Sequence, residues 1–241
     1  MVDTVVDLVS ILLENNMVPP FKIEQQYIED SLDENIKLFF LNEGKCTEIG
    51  FYKKLFSKEV NFELDSTILV NIMKKTGKEE GLSDPIKMID KAIEWAKEND
   101  GEEFDISKDK IVITFDLDVF DDDKLQKIID KKTAYLIYVY SNPKFELPLL
   151  MATDSDLASL EQQYYMEKIP NKVLENAFSK VTHINSKTRK AGAYAATNYN
   201  KIISNKTYDK NTIELTDKFY TNINYLLRSL TNCDLKSINK F

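Results

Sequence analysis

Cysteine and histidine are almost absent from this sequence. Two cysteines, Cys46 and Cys233, cannot by themselves build a disulfide framework or a structural zinc site, which points to a reducing compartment. His183 is the single histidine, so Ser-His-Asp, Cys-His and histidine-rich metal chemistries would all have to share it. It reads as an ordinary surface or core residue, and any chemistry falls to carboxylates. Glycine and proline number six each, against the profile of a fibrous or disordered chain. No stretch approaches the roughly 18 apolar residues of a membrane span. The partly apolar start carries Asp3 and Asp7 where a signal peptide needs basic residues, so the expectation is a cytoplasmic protein that makes no use of a membrane. Positive charge is also in deficit. A net charge of −8 excludes a protein drawn to nucleic acid by its global field, and leaves local basic patches and bound metal to supply any such affinity. A GxxxxGK[ST] loop is missing too, so any ATP hydrolysis must come from a partner.

What is present is ample core material, with 43% hydrophobic and 11% aromatic residues, and a high charged fraction of 30%. Residues 1–18 carry Val5, Leu8, Ile11 and Leu12 on one helical stripe, ended by Pro19-Pro20. Residues 21–34 are polar and acidic and read as a short helix or a linker. A regular alternation follows. Strands are expected at 36–42, 62–71, 111–118 and 134–141, and helices at 47–58, 85–99 and 122–131. Thr47 is the expected cap of the first of these helices. Ser83-Asp84-Pro85 is a cap-and-proline start for the second, which spaces Ile86, Ile89, Ile93 and Ala96 along one face. Strands alternating with helices predict an α/β fold with a mostly parallel sheet. From Pro143 onward the pattern is helical. The chain thus divides into an N-terminal helical extension (1–34), an α/β core (35–155) and a helical C-terminal region (156–241).

Ligand sites in open parallel sheets form beyond the carboxyl ends of the strands. Two strand ends here carry acids. Glu43 follows IKLFFLN, and Asp116 and Asp118 end IVITFDLD with a spacing of two that aims both to one side. If those strands are neighbours, three carboxylates converge. An oxygen-only set suits Mg2+ or Mn2+, which take substrate phosphate oxygens among their remaining ligands and activate water. Acids after strands also serve as helix caps, the reading that suits Asp121, Asp122 and Asp123.

The segments FFLNEGKCTEIGFYKKL, VITFDLDVFDDD and YSNPKFELPLLM, in that order, resemble the RloB-like proteins and the nuclease component of AbiL-type abortive-infection systems. Those families are similar to TOPRIM domains, with a glutamate after the first strand and a DxD after a later one. The resemblance covers about residues 35–155. It implies a TOPRIM-like (Rossmann-like) core, a metal-dependent nuclease, Glu43 in the glutamate position and Asp116 and Asp118 as the DxD. By the same resemblance Glu48 is a candidate for a second metal, its alternative role being a first-turn acid favoured by the helix dipole. Lys45 is a candidate contact to the scissile phosphate or the transition state, against a solvated turn lysine. Asn142, Phe145 and Glu146 match the NPxFEL motif, with Asn142 a candidate helix cap and Glu146 a candidate site residue. Two departures concern substrate choice rather than metal binding: Leu117 stands where a basic residue is usual, and Pro148 where a tryptophan is usual.

The most basic stretch, residues 183–206, interleaves Lys187, Arg189, Lys190, Lys201 and Lys206 with Tyr194 and Tyr199. Such a pattern can hold phosphates and stack bases, or be a solvated helix with core tyrosines. Cys46 beside Lys45 is either a thiol of lowered pKa or a small residue in a turn. The resulting expectation is a nuclease cutting RNA, including transfer RNA as in one related defence system, or DNA. The resemblance implies an effector of anti-phage defence held by an ATPase partner, and leaves assembly as a homo-oligomer open. A TOPRIM-like subunit that binds nucleic acid or nucleotide without cutting is the alternative. A phosphotransferase or primase-like enzyme is third, disfavoured by the lack of a zinc module.

Overall fold

The computed structural model describes residues 19–27, 36–118, 120–167, 170–216 and 218–232. The helix expected at 1–18 lies outside the described residues, as does Cys233. Six strands form one sheet: β1 (Phe21–Tyr27), β2 (Ile36–Asn42), β3 (Ile68–Lys75), β4 (Lys110–Asp116), β5 (Leu136–Asn142) and β6 (Tyr220–Thr221), in spatial order β1-β3-β2-β4-β5-β6. The four central strands run parallel, and β1 and β6 close the edges antiparallel. The described helices are α1 (Thr47–Leu55), α2 (Pro85–Glu98), α3 (Asp122–Asp130), α4 (Glu146–Met151), α5 (Leu157–Met166), α6 (Asn171–Thr182), α7 (Arg189–Thr197), α8 (Tyr199–Ser204) and α9 (Ile223–Asn232), with a 3-10 turn at Gly77–Gly81. Among the described residues no helix is long and apolar enough to cross a membrane.

The parallel strands are apolar on both faces because both are covered. In β2, Leu38 and Phe40 pack with α1 and the C-terminal helices, while Phe39 and Leu41 pack with Trp95, Met88 and Ile89 of α2. That alternation continues in β5, with Ile137 and Val139 on the first face and Leu136, Tyr138 and Tyr140 on the second. The strand order then explains where a site can form. From β2 the chain moves through α1 to β3 on one side. From β3 it returns through α2 to β4, on the other side of β2. Crossovers of one hand put these helices on opposite faces, so the connections leaving β2 and β4 diverge. A crevice opens where they part.

Several expectations need correction. Residues 21–27 are a strand, not a helix or linker. Only Phe21 of it is buried, and its Lys22, Glu24, Gln25 and Gln26 suit an exposed edge. The strand expected at 62–71 begins at Ile68, because Asp65 turns the chain by accepting from the Thr67 amide (2.9 Å). A short strand, β6, does occur after Pro143. Asp84 and Asp121 cap α2 and α3 as their positions imply. Thr47 does not cap α1. Cys46 stands at that position without a side-chain cap bond, and the buried Thr47 hydroxyl donates to the Ser186 carbonyl (2.9 Å). Asn142 does not cap α4 either, since its Nδ2 donates to the Thr216 and Lys218 carbonyls (3.0 and 2.6 Å).

The C-terminal helices are bound into the α/β core at one place above all. At the crossing of α1 and α7, a Cβ on Gly192 would lie 2.0 Å from the Thr47 carbonyl oxygen, and one on Gly50 would lie 2.5 Å from that of Arg189. Glycine at both positions lets the two helix backbones touch. Residues of both portions share one hydrophobic cluster, from Leu38 and Phe51 to Leu174, Ala195 and Leu227.

Candidate metal centre

Glu43 and Asp116 lie at the carboxyl ends of neighbouring strands. β2 and β4 are in parallel register up to Asn42 and Thr114, and the Glu43 amide donates to the Thr114 carbonyl (2.9 Å). The Glu43 side chain reaches back across the crevice, where its Oε2 accepts from the Asp116 amide (3.0 Å). Asp116 Oδ1 accepts from the Phe145 amide (2.8 Å), which fixes the start of α4 against the same point. Asp118 pairs with Lys144 (2.9 Å). Glu48, in the first turn of α1, is 7% exposed and faces this group. A Cβ on Gly44 would come within 2.1 Å of Glu48 Oε2, so the glycine after Glu43 makes room for that carboxylate. Glu146, also buried, completes the set, with Ser186 Oγ at 3.5 Å.

Five carboxylates therefore feel one another. Burial lifts Asp116 well above the usual carboxylate range, and Glu48, Glu43, Glu146 and Asp118 raise it further. Burial also pushes Glu48 up to about 7, with Glu146 and Glu43 adding repulsion while the amides of Glu48 and Gly44 pull the other way. Glu43 is raised by burial and by Asp118, against the Asp116 amide, Lys75 and Lys144. Glu146 is raised by burial and by Glu175, against its own amide, Lys144 and Lys187.

Two lysines offset this negative charge, and neither was among the expected site residues. Lys75, at the end of β3, donates to the Glu43 and Leu82 carbonyls. Burial lowers it to about 8 in spite of Glu43 and Glu48. Burial alone would lower Lys144 as well, but its bond to Asp118 and the fields of Asp116 and Glu146 raise it. The strand-end rule that selects Glu43 and Asp116 does not reach Lys75 from the sequence, because the strand expected to end at residue 71 runs on to Lys75.

The donors are hard oxygens, which fit Mg2+ or Mn2+, and their mutual repulsion is what a cation relieves. In the arrangement shown each acid is engaged by a donor of the protein. Among the described residues no three acidic, histidine or cysteine side chains stand as a ready ligand set.

The remaining expected site residues are spread more widely. Lys45 is exposed and lines a cavity with Arg189, on the β3 side of the acids. Lys187 pairs with Glu175 (2.8 Å), and Lys190 is exposed. Tyr194 packs edge-on against Phe178 and Tyr199 against Phe62, both partly buried against the core cluster. Asn142 lines a cleft of about 370 Å3 on the other flank, with Asp118, Phe120, Pro143, Tyr164 and Tyr165. No curated protein and no solved structure matches this chain. Over residues 38–230, which take in both the strand-end acids and the helices behind them, it matches the model of the RloB-like protein family, and it belongs to that family.

Proposed function

We propose that this protein is a Mg2+- or Mn2+-dependent nuclease that hydrolyses phosphodiester bonds in RNA or DNA. The observation that carries this reading is the contact between Glu43 Oε2 and the Asp116 amide (3.0 Å), which sets the glutamate beside the DxD where the chain connections diverge. Glu43, Asp116 and Asp118 would hold the ion, with Glu48 and Glu146 close enough to share or steady it. When bound, such an ion polarises the phosphodiester and makes water a competent nucleophile. Lys75 anchors the Glu43 backbone, and Lys144 holds Asp118 until a cation competes for it. The cleft beside Asp118 offers Tyr165, 40% exposed, as a surface for an unpaired base. Membership of the RloB-like family and the resemblance to AbiL-type systems favour a role in anti-phage defence, with an ATPase partner supplying the control.

The second reading, a subunit that binds nucleic acid or nucleotide without cutting, is favoured by one observation: the acids are already engaged by protein donors. Titration of Mg2+ and Mn2+ into wild type and a Glu43→Ala/Asp116→Ala variant, with pooled transfer RNA and plasmid DNA as substrates, separates the two. Metal-dependent cleavage by wild type alone is expected, and the polymer cut names the substrate. Metal binding without cleavage of either polymer points to a missing partner or an inhibited state, or to the non-cleaving reading. Absence of metal binding in two folded proteins removes the centre altogether.

A further inference from the structure

A second site adjoins the acids on the β3 side. It is a cavity of about 330 Å3 lined by residues of β1, β2, β3 and α1 and by the first residue of α7. We infer that this cavity binds a nucleotide, its phosphate at a cationic rim and its remaining polar edge against Asn42.

Charge is the first reason. Lys45, Lys74, Lys75 and Arg189 line the cavity against two acids, Glu24 and Glu80, and Glu24 is paired with Lys53 (3.0 Å). In a chain of net charge −8 this is a local reversal of sign, of the kind that concentrates anions.

The floor is the second reason, and it is independent of charge. Asn42 lines the cavity, is 2% exposed, and has neither Nδ2 nor Oδ1 in a hydrogen bond. Buried amides are almost always satisfied, so one without a protein partner beside a cavity calls for a polar partner from outside the chain, a water or a ligand's polar edge. Ile49 gives the cavity an apolar side suited to a base or sugar. The volume lies at the lower end of sites that take small organic ligands, more room than a lone ion needs. Phosphate, sugar and base together match rim, wall and floor.

A free nucleotide and one nucleotide of a strand running to the acidic centre share this chemistry, and different ligands tell them apart. Isothermal titration of the full chain in EDTA keeps metal and cleavage out of the measurement, so its outcome is separate from the fate of the nuclease reading. AMP, UMP, a trinucleotide and inorganic phosphate would be titrated into wild type, Lys74→Glu/Arg189→Glu and Asn42→Leu. A Lys97→Glu/Lys127→Glu variant matches the change in net charge away from the cavity. Wild type and the charge control are expected to bind mononucleotide equally, and the other two at least tenfold more weakly. Asn42→Leu should also melt higher than wild type, because it removes unpaired polar atoms from the interior. That gain separates a ligand-binding role from a structural one. A trinucleotide bound more tightly than AMP assigns the site to a strand, and equal binding assigns it to a free nucleotide. The inference is overturned if wild type binds no nucleotide at millimolar concentration, if inorganic phosphate binds as tightly as AMP, or if the Lys74→Glu/Arg189→Glu variant binds as wild type does.

Discussion

Removing one buried charge from the acidic centre should make the metal-free protein more stable, and only at high pH. Glu48 sits against Gly44 with its carboxyl pushed up from 4.5 to about 7, first by burial and then by Glu146 and Glu43. An acid whose folded pKa is raised holds its proton in the native state after the unfolded chain has released it. Between the two pKa values the native state therefore binds more protons, and stability falls as pH rises. The gap corresponds to roughly 3 kcal/mol, absent below pH 4.5 and fully felt above pH 7. Glu48→Gln keeps an acceptor for the Gly44 amide and cannot ionise. In EDTA at pH 8 it should melt roughly 6 to 12 °C above wild type, the range for a chain of this size, and at pH 4.5 the two should nearly coincide. Asp116 is raised by the same neighbours, so the variant retains part of the pH slope. Mg2+ at pH 8 should stabilise wild type more than the variant, because the cation relieves the same repulsion. Thermal melts at both pH values, with and without Mg2+, decide the matter. A variant no more stable than wild type at pH 8, or a difference that is the same at both pH values, would refute this reasoning.

The elements most legible in the sequence are those whose surroundings are symmetric. β2, β4 and β5 are apolar on both faces and bounded by polar turns, and each lies within two residues of its expected place. Their strand-end acids were legible for the same reason, since a carboxylate directly after a fully buried strand stands at the mouth of the sheet's crevice. Edge strands were not. β1 has a single buried residue, and nothing in FKIEQQY shows that it pairs with β3. Distant contacts were invisible as well. Gly50 and Gly192 are 142 positions apart, yet the backbone touch they permit fixes α1, and with it Glu48, against the C-terminal helices. Thr47 has the side chain of a cap but spends it on Ser186, a partner no local pattern reveals. Tyr194 and Tyr199, interleaved with basic residues as a stacking platform would be, each rest one side against the core and stay partly exposed. Aromatic residues at helical spacing satisfy either role equally in one dimension.

Three further substitutions test the packing that holds the site. Gly44→Ala would place a methyl group 2.1 Å from Glu48 Oε2, and chemical denaturation should show a loss of about 1 to 3 kcal/mol. An unchanged midpoint would mean that Glu48 swings clear without cost. Asn222→Ala removes the acceptor for the Tyr140 amide (2.9 Å) and the donor to the Tyr138 carbonyl (2.8 Å) on β5. It should cost about 2 to 3 kcal/mol and speed hydrogen exchange at the Tyr140 amide, whereas unchanged exchange would show that these bonds do not hold the strand. Gly192→Ala is the most severe, because its methyl group would meet backbone, at 2.0 Å from the Thr47 carbonyl oxygen and 2.4 Å from the Phe51 amide nitrogen. No rotamer can relieve that contact, so α1 and α7 must part at a cost of about 3 kcal/mol or more. Gly81→Ala, where a methyl group meets nothing within 4 Å, should be nearly neutral by comparison. Because α1 carries Glu48 and follows directly on Glu43, Gly192→Ala should weaken Mg2+ binding even in molecules that remain folded. Full metal affinity in a folded Gly192→Ala protein would show that the acidic centre does not depend on the C-terminal helices.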